Sequence, residues 1–479
     1  VVDIPFPVTS APGANTHESA GRLINVYSEA LVNGARKRTV IRRAPGLSLF
    51  KNASHSGWRG GIVVGNFLYG GFTSDHDIVK FDSSGTQTTL GTFTGTKKLI
   101  WARNNAATPD VIAVDPDNGA VKVTTVPSVI AYPDADVGSP NSVCFLDGYF
   151  FFTYGDSTCI ASGINTTSIN PLDFTTVEGN PGGLLRAVPF GELYLMGDTT
   201  IEPYQDTANA TGFPFTRVKV IPIGLLGRYA VTGFEPGFGR GIIFVANDRT
   251  VKGLDGYSPQ KISTPDVDRA IGAFLDNGGS TDDIEMFPYV AGGKACVVLR
   301  TTTFTWVFDI DSQYWHERMS NGIVNWRAFG SVYAFNKWLV GDSVATSKLS
   351  QITETARDEL GTSLPAIVES GPVTAFPKRL RCDSVSFDMA RGVGIATGTD
   401  PTQTDPDVLI SWSDDGGVSW STPVIRKLGR QAIAERRISV NRVGSTKDQG
   451  RRWRVTMYDN VDFELTGGDM AGKIAELAT

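Results

Sequence analysis

Hydrophobic and polar positions in this 479-residue chain alternate in short blocks and almost nowhere with the period of a helix. Apolar residues spaced at i, i+3, i+4 and i+7 are confined to two candidate short helices, 266–275 and 353–360. Elsewhere, short β-branched and aromatic stretches end at Gly, Asp or Asn, as strands closed by tight turns do. Asp115-Pro116-Asp117-Asn118-Gly119, flanked by Val111, Ile112, Val121 and Val123, predicts a hairpin. Asp147-Gly148, Asp255-Gly256 and Asn321-Gly322 predict three more.

The spacing of the strongest apolar runs is regular. They centre near Phe67 (NFLYGGF), Ile112 (DVIAV), Tyr149 (GYFFFTY), Leu193 (GELYLMG), Ile242 (GIIFVAN), Cys296 (KACVVLR) and Trp338 (NKWLVGD). Successive separations are 45, 37, 44, 49, 54 and 42 residues. A period of roughly 40–50 residues with several short strands in each unit is that of a β-propeller blade. LYLMGDTTIEPY (193–204), IIFVANDRTVKGLDG (242–256) and CVVLRTTTFTWVFD (296–309) share the order strand, tight turn, strand. The pattern predicts an all-β chain whose residues 56–353 form a propeller of six or seven irregular blades.

Residues 354–377 lose this rhythm and carry Pro365, Gly371-Pro372 and Pro377, so they read as a linker. Alternation returns over 378–479: Val385 with Phe387, Val408 with Ile410, and Val455 with Met457 against Val461, Phe463 and Leu465. That predicts a C-terminal β-sandwich-like domain. Residues 1–55 contain one strand-like run, LINVYSEAL (23–31), and are too few to bury a core alone. They are expected to pack on the C-terminal domain or on a neighbouring subunit.

Composition narrows the class. The chain is 41% hydrophobic and 20% charged, which excludes a disordered or fibrous chain. No stretch approaches the ~20 apolar residues of a membrane span. Val1-Val2-Asp3-Ile4-Pro5 has neither the basic start nor the apolar run of a signal peptide. The expectation is a soluble protein made in a cytoplasm, without membrane insertion. Cys144, Cys159, Cys296 and Cys382 lie far apart with no CxxC pair, so free buried thiols are expected rather than zinc sites or disulfides.

Net charge is −6 overall, but residues 1–51 carry +4 and residues 376–479 carry +1, leaving −11 for the middle. An acidic body argues against a protein that wraps nucleic acid, since phosphate affinity comes from cations. Two basic runs stand apart. One holds Arg36, Lys37, Arg38, Arg42 and Arg43; the other, 426–454, includes Arg436, Arg437, Arg451 and Arg452. Each reads either as a solvated strand face or as a surface dedicated to a partner or subunit interface.

Catalytic motifs are missing: no GxxxxGK[ST] loop, no HExxH, no GxSxG elbow. Gly237-Phe238-Gly239-Arg240-Gly241 precedes a strand rather than a helix and reads as a tight turn, not a dinucleotide site. Histidines 17, 55, 76 and 316 are too sparse in sequence to mark a metal cluster. No cofactor, metal or catalytic residue is expected. One motif is sharp: Ser413, Asp415, Gly417, Ser419 and Trp420 fit the Asp-box pattern S-x-D-x-G-x-[ST]-W. It resembles the turn repeated in sialidases and related propellers. Here it occurs once and outside the repeat, so a structural hairpin turn is expected.

Taken together, the segments LINVYSE (23–29), RRAPGL (42–47), WRGGIVVGNFLYGGF (58–72), LYLMGDTTIEPYQDTANATGFPF (193–215), SWSDDGGVSWS (411–421) and LGRQAIAERRISVNRVGSTKDQGRRWRVTM (428–457) resemble the packaged-DNA stabilisation proteins, or tail hub (nozzle) proteins, of short-tailed bacteriophages. The resemblance implies a structural protein of the virion tail, not an enzyme. It further implies a homohexameric ring under the portal–adaptor complex, tail spikes, fibres or a needle as partners, and genomic DNA passing through the lumen without sequence-specific binding. A platform built from the N-terminal segment and the C-terminal domain would dock the ring, and the propeller would project from it. The alternatives are a glycan-binding or glycan-cleaving propeller and a monomeric protein-interaction propeller.

Overall fold

The computed structural model describes residues 2–31, 38–124, 128–177, 182–209, 211–376, 378–433, 437–447 and 449–475. Each of the seven periodic apolar runs becomes the second strand of a four-stranded antiparallel meander. Phe67–Phe72, Val111–Asp115, Tyr149–Thr153, Glu192–Gly197, Ile243–Val245, Lys294–Arg300 and Lys337–Asp342 are those strands, and all are almost wholly buried. A strand covered on both faces by neighbouring sheets needs apolar side chains at every position. Continuous runs rather than alternation therefore mark it.

Seven such blades follow one another along the chain, spanning 58–92, 100–131, 142–176, 184–217, 231–261, 285–317 and 328–353. Innermost strands of neighbouring blades touch around most of the ring, and Ala328–Ala334 of the last lies against Trp58–Val64 of the first, closing it. The last blade supplies three strands of its own. Its fourth is Gly46–Asn52, paired antiparallel with Lys348–Thr353. At this seam Trp58 donates its indole N–H to the Gly330 carbonyl at 2.8 Å. Its ring packs so closely on Gly70 and Gly341 that a Cβ there would come within 2.2 and 2.6 Å of the Trp58 side chain.

Apart from the short Asp358–Glu359 and Thr362–Ser363 pair beside Gly46–Asn52, the remaining strands form two facing sheets. One runs Val26–Ala30, Thr39–Arg43, Glu464–Ala475, Arg379–Met389 and Ile438–Ser445, with Val2–Asp3 also on Glu464–Ala475. The other runs Gly21–Ile24, Ala366–Ser370, Arg452–Met457, Asp407–Ser413 and Val424–Lys427. Leu23, Val26, Ile41, Val385, Phe387, Ile410, Trp453, Val455 and Met470 fill one core between them. The N-terminal segment thus contributes strands to both layers. The second layer is also continuous with blade 6, because Ile24 pairs in parallel with Glu317 at the blade's outer edge.

Three local expectations differ from the structure. Residues 353–360 form no helix: Thr353 ends a strand, and Asp358–Glu359 pairs beside Leu47. Residues 354–377 are not a bare linker, since Ala366–Ser370 lies between Gly21–Ile24 and Arg452–Met457. Pro365 and Pro372 flank that strand rather than interrupt its ladder, where proline is tolerated. Asn321-Gly322 sits in the connection between blades 6 and 7, not at a hairpin tip. The other helix is present as Pro265–Asp276, burying Val267, Ile271 and Phe274 on one face. Among the described residues no helix is long and apolar enough to cross a membrane.

Candidate functional site

The basic residues singled out from sequence divide sharply by burial. Arg36, Lys37 and Arg436 lie outside the described residues. Arg38 and Arg437 are exposed, and Arg42 is half-buried between Glu29 and Glu464. Arg43, Arg451 and Arg452 are internal, so their reading as a partner-facing surface is corrected. Arg43 donates to the carbonyls of Arg357 and Asp459 at 3.0 and 2.9 Å. Arg451 forms a two-pronged pair with Asp414, 2.7 Å on each arm, and Arg452 donates to Ser370 and Gly416 carbonyls and to Ser19 Oγ. A guanidinium satisfies several carbonyls at once, and burial without such partners would be prohibitive. In and around the sheet-edge strand Ile438–Ser445, Arg437, Arg442 and Lys447 stay exposed.

The arginines hold the Asp-box loop from below. Asp415 accepts from Ser413 Oγ at 2.7 Å and from the Ser419 N–H at 2.9 Å, and these bonds, with that from the Ser419 hydroxyl, hold its carboxyl well below the ordinary range. Ser413 Oγ accepts from the Gly417 N–H at 2.8 Å. Gly416 and Gly417 adopt φ of 75° and 99°. A Cβ on Gly417 would meet Arg452 Nη1 at 2.6 Å. Arg454 stacks over Trp420, 3.7 Å from the ring centre. The loop joins Asp407–Ser413 to Val424–Lys427, so its side chains are spent on the turn itself. The loop's other carboxylate, Asp414, is taken by the Arg451 guanidinium.

A second constellation is invisible in the sequence. Lys97 Nζ is 2.8 Å from Asp282 Oδ2, and Arg228 Nε is 3.1 Å from Asp282 Oδ1. Lys98 Nζ is 2.6 Å from Glu285 Oε2, and the Lys98 carbonyl accepts from Tyr229 Oη at 2.9 Å. These residues lie at or just before the starts of blades 2, 5 and 6. In a ring of seven, blade 2 neighbours neither of the others, so the contacts run across the propeller axis. Arg59 and Asp115, paired at 2.5 Å and buried, lie beside them, and Arg59 also donates to the Lys97 carbonyl. The axis is bridged by protein. Lys97 and Asp282 are 185 residues apart in sequence, and such a separation leaves no local signal.

The other titratable groups are placed as follows. All four cysteines are free and buried, and burial raises their thiols, Cys296 to about 12. Such thiols are poor nucleophiles and poor ligands. His17 is exposed, and His76 Nδ1 is 3.0 Å from the Gly95 carbonyl. His316 is buried, and desolvation, with the charges of Arg318 and Lys294, pushes it down to about 3. It lines a cavity of about 20 Å³ with Tyr27, Arg43, Lys294, Cys296 and Asp309. His55 stands beside Asp75 and Asp77, a grouping that the sequence, with histidine and nearer aspartate 20 residues apart, does not announce.

The family that the sequence matches agrees with this architecture. A family model described as "Bacteriophage P22 Gp10, beta-propeller" matches residues 23–356, from the first strands of the sandwich through the last blade. No functionally curated protein matches the chain. Among solved structures it is similar to a streptogramin B lyase (12% identity, TM-score 0.42, covering 64% of this chain and 96% of that one). It is also similar to the WD40 β-propeller domain of Doa1 (11% identity, TM-score 0.39, 64% and 96%). The chain therefore belongs to the bacteriophage P22 Gp10 β-propeller family, whose members are structural virion proteins that stabilise packaged DNA rather than enzymes.

Proposed function

We propose that this chain is one subunit of a six-fold tail hub or nozzle that extends the portal–adaptor channel, retains the packaged genome and conducts it during ejection. The observation that carries this reading is the family match over 23–356, which takes in the N-terminal strands as well as the blades. The bridged axis supports it. Lys97, Arg228 and Asp282 span the centre of the propeller, so a duplex has to run between copies rather than through one. In this reading the propeller (58–353, closed by Gly46–Asn52) projects from the ring, and the N-terminal strands up to Arg43, with Ala366–Ser370 and the C-terminal domain (378–479), form the platform. The body of net −11 faces the lumen and repels phosphate, so DNA slides instead of sticking. Exposed Arg38, Arg437, Arg442 and Lys447 face the adaptor or the next subunit. Spikes, fibres or a needle attach at the distal side.

The test is native mass measurement and negative-stain imaging of the protein alone and with the tail adaptor. A six-fold ring on the adaptor, six times the 51.5 kDa chain mass, is expected. A single copy per adaptor would overturn the proposal. Reversing lumen-facing carboxylates to lysine is expected to slow genome release, and unchanged ejection kinetics would remove the electrostatic part.

A further inference from the structure

We propose that His55 Nδ1, with one carboxylate oxygen each from Asp75 and Asp77, forms a site for a first-row divalent cation, Zn²⁺ foremost, at the seam where the ring of blades closes. His55 Nδ1 lies 3.2 Å from Asp75 Oδ2 and 3.2 Å from Asp77 Oδ2, and the three donor atoms all fall within 4.8 Å of one another. Tetrahedral ligands at about 2.0–2.1 Å from Zn²⁺ stand roughly 3.3 Å apart, which is the spacing found from the imidazole to each carboxylate. A hydrogen bond alone accounts for less. Nδ1 carries at most one proton, so it can satisfy one carboxylate and leaves the other facing it. Among the described residues neither aspartate has a lysine or arginine ion-pair partner; His55 Nδ1 is the nitrogen they share.

The surroundings hold the donors in place. The His55 ring packs against Phe72 at 5.5 Å, and its side chain is 12% exposed. Ser74 Oγ donates to Asp75 Oδ2 at 3.1 Å while accepting the Ser56 N–H at 3.0 Å, so Asp75 is oriented through a supporting hydroxyl. The Asp75 side chain is 57% exposed, which leaves that side open to water ligands. One imidazole and two carboxylates favour Zn²⁺ or Mn²⁺ over the oxygen-seeking Mg²⁺ and Ca²⁺. The location gives the ion a task. Segment 53–57 follows the closing strand and bonds to both sides. The Ala53 and Gly57 N–H groups donate to the Ser347 and Thr346 carbonyls of the last blade, and the Gly57 carbonyl accepts the Thr73 N–H of the first. A cation there ties that segment to blade 1 and stabilises the closed ring by mass action.

The experiment is titration of the metal-free full chain with ZnCl₂, MnCl₂ and MgCl₂ by calorimetry, with thermal melts and with Co²⁺ absorption as a report of ligand geometry. Expected are one Zn²⁺ per chain, the order Zn²⁺ over Mn²⁺ over Mg²⁺, a rise in Tm on Zn²⁺ addition, and loss of all three in His55→Ala. Asp75→Asn, at an exposed side chain that leaves folding alone, is expected to weaken Zn²⁺ binding at least about tenfold. Ser74→Ala is expected to weaken it about tenfold, as loss of a supporting partner does. No saturable Zn²⁺ binding, or binding undiminished in both His55→Ala and Asp75→Asn, would overturn the proposal.

Discussion

Asp115 shows how one residue serves two scales. Its Oδ1 accepts the Asp117 N–H at 2.8 Å and caps the turn that the sequence motif announces, while its Oδ2 takes the buried guanidinium of Arg59 at 2.5 Å. The turn is legible in the sequence; the partner, 56 residues away, is not. Removing one member leaves a charge uncompensated in the interior, so Arg59→Met is expected to cost about 3–5 kcal/mol in urea unfolding. The Arg59→Met/Asp115→Asn pair is expected to cost less than the sum of the singles. His316 gives a pH signature instead. Its value falls from the ordinary 6.5 to about 3 in the folded chain, chiefly through desolvation, so the folded state keeps it neutral. Stability is intact above about pH 6.5 and declines as pH drops from there toward 3, where the unfolded chain binds a proton that the folded chain refuses. Urea midpoints of wild type and His316→Gln, followed from neutral pH down to about pH 4, are expected to converge as pH falls.

At the scale of elements, burial on both faces makes the second strand of every blade readable, and the outer strands are harder to see for the converse reason. Ile169–Thr176, at the edge of blade 3, exposes most of its side chains and carries no continuous apolar run. The closing strand Gly46–Asn52 gives no sign of belonging to the propeller, because its partner Lys348–Thr353 lies about 300 residues away and pairing over that distance leaves no local trace. Leu47 is its anchor, 1% exposed and packed in the core that also holds Trp338 and Ile352. Leu47→Ala is expected to lower stability by about 2–5 kcal/mol. Hydrogen exchange is expected to quicken first at 348–353. Unchanged protection there would mean that the strand does not close the ring. Residues 353–360 carry the same lesson: Asp358–Glu359 is short, polar and held by Leu47 rather than by any periodicity of its own.

At the scale of the molecule, propeller and sandwich are joined by hydrogen-bonded sheet rather than by a tether. Ile24 pairs with Glu317 on one side and with Ile367 on the other, and Arg22 reinforces the first contact through Glu317 at 2.6 Å. Because Leu23, Val26, Ile41, Ala366 and Val368 belong to the sandwich core, residues 378–479 alone lack part of both layers. That fragment is expected to show no cooperative thermal transition by circular dichroism and poor dispersion by NMR, whereas the full chain unfolds cooperatively. A folded fragment would show that the N-terminal strands are accessory.

Sequence by itself determined the strand-rich class, a recurrence of apolar runs that allowed six or seven blades, the tight turns and the Asp-box loop. All of these rest on side-chain pattern and backbone preference within a few residues of one another. Tertiary structure alone decided that the N-terminus closes the ring and builds the sandwich, that Arg43, Arg451 and Arg452 turn inward, and that the axis is bridged. Those outcomes depend on which distant groups meet once water is excluded, and the free energy of such meetings is written in no single stretch of chain.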